Sequence, residues 1–151
     1  MKLYSCKVSE AGVPMRHFVP CTHDGVAGLY DLLNGVFYPH DSGKVYGKGY
    51  TGQNGDFEVA LPQSAKITKG TGPFELACIA AGASSFEWYE NGKLIEGATT
   101  DSYTVQWTNK RPHTRTYKVV PVYTVFNEKV RGEATETMVE LTPVGIIIKI
   151  Q

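Results

Sequence analysis

The chain has no long apolar run, no block of like charge, no paired cysteine motif and little helical periodicity, and each absence removes a class of protein. A membrane-crossing helix needs about 18–20 consecutive apolar residues, and none occurs among the 151. Fifteen basic and fifteen acidic residues give a net charge of zero, so the basic stripe of a nucleic-acid binder is missing. Three widely spaced cysteines, Cys6, Cys21 and Cys78, make a poor disulfide framework, and without a C-x-x-C pair they make a poor zinc site. Three reduced thiols are expected. The segment Met1-Lys2-Leu3-Tyr4-Ser5-Cys6 lacks the apolar core of a secretory signal, so synthesis in the cytosol is expected.

What the chain does contain is strand and turn. Hydrophobic residues make up 42%, enough for a real core and too much for a disordered tail. Glycine and proline recur at short intervals, and the one candidate helical turn lies at residues 27 to 33. Residues 42 to 56 carry five glycines, a composition that weakens regular structure. This suggests four parts: a small β-rich segment at 1–45, a linker at 46–56, a β-sandwich at 57–142, and an edge strand or tail at 143–151.

In the larger part, Phe74, Leu76, Cys78 and Ala80 fall on one face by strand alternation. Phe86 and Trp88 do the same, followed by Asn91-Gly92, a strong hairpin signal. Tyr103, Val105 and Trp107 alternate, as do Tyr117, Val119, Pro121 and Tyr123 in a strand over 114 to 125. A last strand is expected over 133 to 141. In the N-terminal segment, strands at 2–8 and 15–20 are expected with Pro14 closing the turn between them, because proline fixes φ and donates no hydrogen bond. Asn34-Gly35 marks a second turn.

The order Cys78, Trp88, Tyr117-Lys118-Val119 resembles an immunoglobulin-like domain of the bacterial and phage branch. There a strand-B cysteine, a strand-C tryptophan and a strand-F tyrosine corner meet in the core. Val119 stands where the second cysteine would be. The resemblance therefore implies an all-β fold: an immunoglobulin-like β-sandwich without the inter-sheet disulfide, plus a small N-terminal β-hairpin segment. The patterns Leu3-Tyr4-Ser5-Cys6, Arg16-His17-Phe18-Val19-Pro20-Cys21, Gly28-Leu29-Tyr30-Asp31 and Phe37-Tyr38 resemble the closing part of concanavalin-like, laminin-G-like jelly-roll domains in phage and prophage structural proteins. Only about 45 residues match, too few to fold alone. The segment must pack on the larger domain, be completed by another chain, or be a fragment.

No G-x-S-x-G, H-E-x-x-H or phosphate-loop motif occurs, so no catalytic residue, metal site or cofactor is expected. His23-Asp24-Gly25 and His40-Asp41-Ser42 read as turn chemistry rather than metal ligands. Tyr46, Tyr50 and Tyr89 are the candidate ligand contacts, since an aromatic body with a polar tip suits sugar rings at wet interfaces. Cys78, Trp88, Tyr117 and Val119 are the candidate core. The tail Ile146-Ile147-Ile148-Lys149-Ile150 favours strand and, left exposed, invites pairing, so it should dock at a sheet edge within the chain or form a homo-oligomer.

The resemblances imply a non-catalytic virion-associated module of tail or fibre, assembled in the cytoplasm. Its partners would be other virion or surface subunits and, weakly, a host-surface polysaccharide, with neither nucleic acid nor membrane. The alternatives are a fragment of a bacterial surface adhesin at the cell surface, or an accessory binding module of a carbohydrate-active enzyme.

Overall fold

In the computed structural model, residues 5–40, 49–63, 65–72, 74–106, 112–142 and 145–149 are described. The fold is all-β and sandwich-like, with no helix among these residues, and is compatible with an immunoglobulin-like domain. The chain divides into two compact units. The first comprises residues 1–63, 81–83 and 123–132, and the second residues 64–80, 84–122 and 133–151.

The first unit is built on a six-stranded antiparallel sheet of β1 (Cys6–Glu10), β2 (Val13–His23), β3 (Val26–Asp31), β4 (Val36–Pro39), β5 (Gly49–Thr51) and β6 (Phe57–Ala60), in the order β4-β3-β2-β6-β5 with β1 also on β2. Residues 27 to 31, expected as part of a helical turn, lie in β3, because Leu29 and Tyr30 pair across to Pro20 and Val19. The β1–β2 turn is Ala11-Gly12, both with positive φ, the geometry that matches strand twist. Pro14 therefore does not close it, but sits in β2 opposite Ser9. In the stretch expected as a linker, residues 49–51 form β5, paired with β6, and residues 57–63, read as part of the larger domain, belong here.

The second unit has two sheets. β7 (Lys66–Lys69), β8 (Glu75–Ile79) and β11 (Ser102–Thr104) form one, in the order β11-β8-β7. The other contains β9 (Ser85–Glu90) and β10 (Lys93–Leu94), joined at Asn91-Gly92, with β12 (His113–Val125), β14 (Thr135–Thr142) and β15 (Gly145–Lys149), in the order β10-β9-β12-β14-β15. Trp88 is fully buried, lies directly opposite Val119, and its indole N–H donates to the Thr100 carbonyl at 2.9 Å. Tyr103 on the smaller sheet meets Trp88 and Tyr117 on the larger, with ring centroids 6.0 and 5.9 Å apart. The C-terminal strand pairs within the chain, with Ile146 opposite Leu141 and Ile148 opposite Val139.

Strand β12 is shared. Its residues 113–122 belong to the second unit, while 123–125, with β13 (Glu128–Arg131), which pairs with it, belong to the first. Tyr123, Val125 and Val130 are buried with Val19, Cys21, Tyr30, Phe57 and Val59. At the hairpin tip, Phe126 and Asn127 both have positive φ, a costly backbone for a phenylalanine. Phe126 is held there by aromatic contacts: its ring stacks on His23 at 4.2 Å and lies 4.6 Å from Tyr30 and 5.0 Å from Phe57, and its N–H donates to the Tyr30 hydroxyl at 3.2 Å.

Residues 1–63 expressed alone are accordingly expected to stay unfolded by circular dichroism. In the full chain, Phe126→Ala is expected to destabilise by about 3 kcal/mol in chemical denaturation, the low end for a phenylalanine because its ring is half-buried.

Candidate functional site

The tyrosines selected as ligand contacts are Tyr46, Tyr50 and Tyr89. Tyr46 lies outside the described residues. Tyr50 is in the first unit and Tyr89 in the second. Tyr50 packs its ring towards Phe57 at 6.1 Å, and its hydroxyl donates to Glu128 at 3.3 Å. Tyr89 donates to Glu87 at 2.8 Å, and Lys118, opposite it in register, places its ammonium 4.3 Å from the ring centre. One face of the Tyr89 ring is thus already engaged by a cation. Trp107, expected in the core, also lies outside the described residues.

The core candidates Cys78, Trp88, Tyr117 and Val119 are all buried. The Tyr117 hydroxyl, expected at a tyrosine corner, donates to the Glu90 carboxylate at 2.6 Å. The same oxygen receives Arg115 Nη1 at 2.6 Å. Arg115 also donates to the Gln106 carbonyl at 2.9 Å and, through Nε, to His113 Nε2 at 3.1 Å. Glu90 and Tyr117 are cross-strand partners on β9 and β12. Burial raises the Glu90 carboxyl, but Tyr117 and Arg115 outweigh it and hold the group below its ordinary value. Burial and the same carboxylate push the Tyr117 phenol far up. A carboxylate held this way is a weak base.

A second network lies in the first unit. Asp31 is fully buried at the end of β3. It accepts the N–H of His17 at 3.0 Å and of Leu33 at 3.1 Å, the Asn34 amide at 2.7 Å and Arg16 Nη1 at 3.1 Å. Arg16 also donates to the Tyr38 hydroxyl at 3.0 Å, and Asn34 to the Met15 carbonyl at 3.0 Å. Burial alone would raise this carboxyl; the donors, led by the His17 N–H, bring it below its ordinary value. The pattern Asp31-x-x-Asn34-Gly35 was the available signal, since Asx side chains bind backbone in turns. The partners Arg16 and Tyr38 carried no signal at all.

His17 is buried beside Asp31, and its Nδ1 has no hydrogen-bond partner among the described residues. Gly82 lies against it: a Cβ there would stand 2.7 Å from Nδ1, and its φ is +80°. Burial, followed by the charge of Lys7, lowers the His17 imidazole. In the His23-Asp24-Gly25 stretch, Asp24 and Gly25 have positive φ and make the β2–β3 turn, while His23 stacks on Phe126. Asp41 of the other pair is outside the described residues. Burial raises the thiol of Cys21 to about 12 and that of Cys78 to about 11, whereas Cys6 is exposed.

Three outcomes follow from these environments. Native protein treated with iodoacetamide is expected to take one label, at Cys6, and three after denaturation, as read by mass spectrometry; buried thiols with raised values supply almost no thiolate. A lowered imidazole stabilises the fold above its ordinary value near 6.5 and loses that contribution as pH falls towards the folded value. A lowered carboxylate does the same below its ordinary value near 4.5. Chemical denaturation against pH is therefore expected to show loss of stability below about 6.5 that His17→Gln removes, and a further loss below about 4.5 that Glu90→Gln reduces. Asp31→Ala is expected to cost about 3 kcal/mol at neutral pH, because it leaves Arg16 and three other donors without their acceptor. No protein-family model matches the chain, and no curated protein and no solved structure matches it either.

Proposed function

We propose that this chain is a non-catalytic structural module of a phage or prophage particle, in a tail or fibre, where it acts as a spacer between subunits. The second unit is read as an immunoglobulin-like domain without an inter-sheet disulfide. In support, β8 lies between β7 and β11 while β12 lies between β9 and β14, as strand B lies between A and E, and F between C and G, in that fold. The first unit is read as the closing part of a laminin-G-like jelly roll whose missing core is supplied by residues 81–83 and 123–132.

The observation that carries the proposal is β12. One continuous strand of 13 residues is central to the second unit and contributes core residues to the first. A strand that supplies residues to two cores suits a structural spacer. The best-placed carboxylates, Glu90 and Asp31, support the same role, being bonded by neighbouring strands and turns. Contact with a host-surface glycan would be weak and would pass through Tyr50 and Tyr89, each half-buried with its hydroxyl already hydrogen-bonded.

The test is particle composition. Mass spectrometry of purified particles from an induced culture of the source strain is expected to find the chain at stoichiometric level; recovery in the cell-wall fraction alone would overturn the assignment. On an array of host-wall polysaccharides, weak signal that falls with Tyr89→Ala is the outcome expected for glycan contact. A flat array leaves the spacer role and removes the glycan.

A further inference from the structure

We propose that His17 is the proton-sensing element of a latch: residues 81–83 close over its imidazole when the ring is neutral and release it when the ring is charged. The segment Ala81-Gly82-Ala83 lies in sequence between β8 and β9 and belongs to the first unit. Gly82 covers the ring so closely that a Cβ there would stand 2.7 Å from Nδ1 and 2.9 Å from Leu32 Cδ1. Its φ of +80° is a second reason for glycine at this point. Ala83 packs on the core of the same unit. No hydrogen bond joins residues 81–83 to another described residue, so packing alone holds the segment. A loop held in this way belongs to the low-stability end of a fold.

The closed latch has no place for a charged ring. His17 is 2% exposed, and its Nδ1 is buried without a hydrogen-bond partner among the described residues. A neutral imidazole that carries its proton on Nε2 presents only a lone pair there, whereas protonation turns Nδ1 into a donor. A buried donor without an acceptor is costly, and a charged one more so. The charged neighbours do not supply that acceptor. Lys7 stands opposite His17 on β1 and adds a like charge. Asp31 on β3 accepts the backbone N–H of His17 and of Leu33, the Asn34 amide and Arg16, so its bonds to His17 go to the backbone and not to the ring. Arg16, the neighbour on β2, is bound to that carboxylate and to the Tyr38 hydroxyl. Leu32 and residues 81–83 bring no charge. The ring is accordingly held below its ordinary value by burial and then by Lys7, which outweigh the attraction of Asp31. Moving residues 81–83 aside admits water to Nδ1 and removes the penalty. Opening is thus coupled to uptake of a proton. The open form lets the ring titrate near 6.5, while the closed form holds it lower. The open population therefore rises as pH falls between those two values, by up to about tenfold per pH unit, and levels off outside them.

The full chain, isotopically labelled, is to be followed by NMR from about pH 8 to about pH 5. The ring Cε1–Hε1 signal reads protonation of His17. Amide order parameters at Gly82 and Ala83 read the latch, and the amides of Trp88 and Val119 read the rest of the fold. His17 is expected to be half-protonated below pH 6.5. Over the same interval the order parameters at Gly82 and Ala83 should fall from about 0.85 to below about 0.6, while Trp88 and Val119 keep their native signals. His17→Gln is expected to keep the segment ordered throughout. Lys7→Gln alters an exposed side chain and should raise the midpoints of the ring and of the latch together. A charged ring under an ordered segment, a ring that stays neutral down to about pH 5, or a loss of order that persists in His17→Gln would overturn the proposal. So would midpoints that separate in Lys7→Gln, or loss of the Trp88 and Val119 signals along with the latch. The inference does not rest on a role in a particle: particle composition can fail while the titration holds, and the reverse.

Discussion

The first unit depends on a hairpin from a distant part of the sequence. Its sheet has an apolar face formed by Val19, Cys21, Tyr30, Phe57 and Val59, and the side chains buried with it are Tyr123, Val125 and Val130. Without residues 123–132 that face would be open to water, at a cost of about 25 cal/mol for each Å² of apolar surface. The turn that delivers them holds Phe126 in a left-handed conformation. Such strain persists where the surroundings over-determine it, and here His23, Tyr30, Phe37 and Phe57 surround the ring. The docked aromatic and the strained turn hold each other in place. Residues of the same chain, 123–132, thus contribute to the core of the N-terminal segment.

Polar groups complete the design in a consistent way. Glu90 with Tyr117 and Arg115, and Asp31 with Arg16 and two backbone N–H groups, each place a carboxylate against donors from neighbouring strands or turns. A buried carboxylate is tolerated when its bonds replace those lost to water. The same bonds lower its basicity and fix its orientation.

Much of the strand layout was legible in the sequence, because period-two alternation records burial directly. Leu76 and Cys78, and Phe86 and Trp88, alternate with less buried neighbours, and Tyr117 and Val119 flank the less buried Lys118, whereas Val119 to Tyr123 are buried without a break; Asn91-Gly92 has the positive φ values that its composition implies. Legibility failed where the local signal pointed elsewhere. Residues 27 to 33 suggested a turn of helix in what is β3 and the turn after it, and tertiary pairing with β2 decided otherwise. Phe126-Asn127 lacks the glycine that usually marks a two-residue turn, so β13 had no signal. Glycines at 49, 52 and 55 read as linker, although 49 lies within a paired strand.

The polar clusters were less legible still. Glu90 and Arg115 stand 25 residues apart and Arg16 and Asp31 stand 15 apart, and no spacing rule connects residues that meet only through strand register. What the sequence by itself determined is the all-β class, the faces of its long strands and the absence of a paired-cysteine framework, since these follow from local alternation and composition. What the tertiary structure alone decided is where the two units divide, which hairpin fills the first core and which donors hold each carboxylate. Those outcomes depend on the register between distant strands, and register is set by the sum of many burial contacts rather than by any one residue's preference.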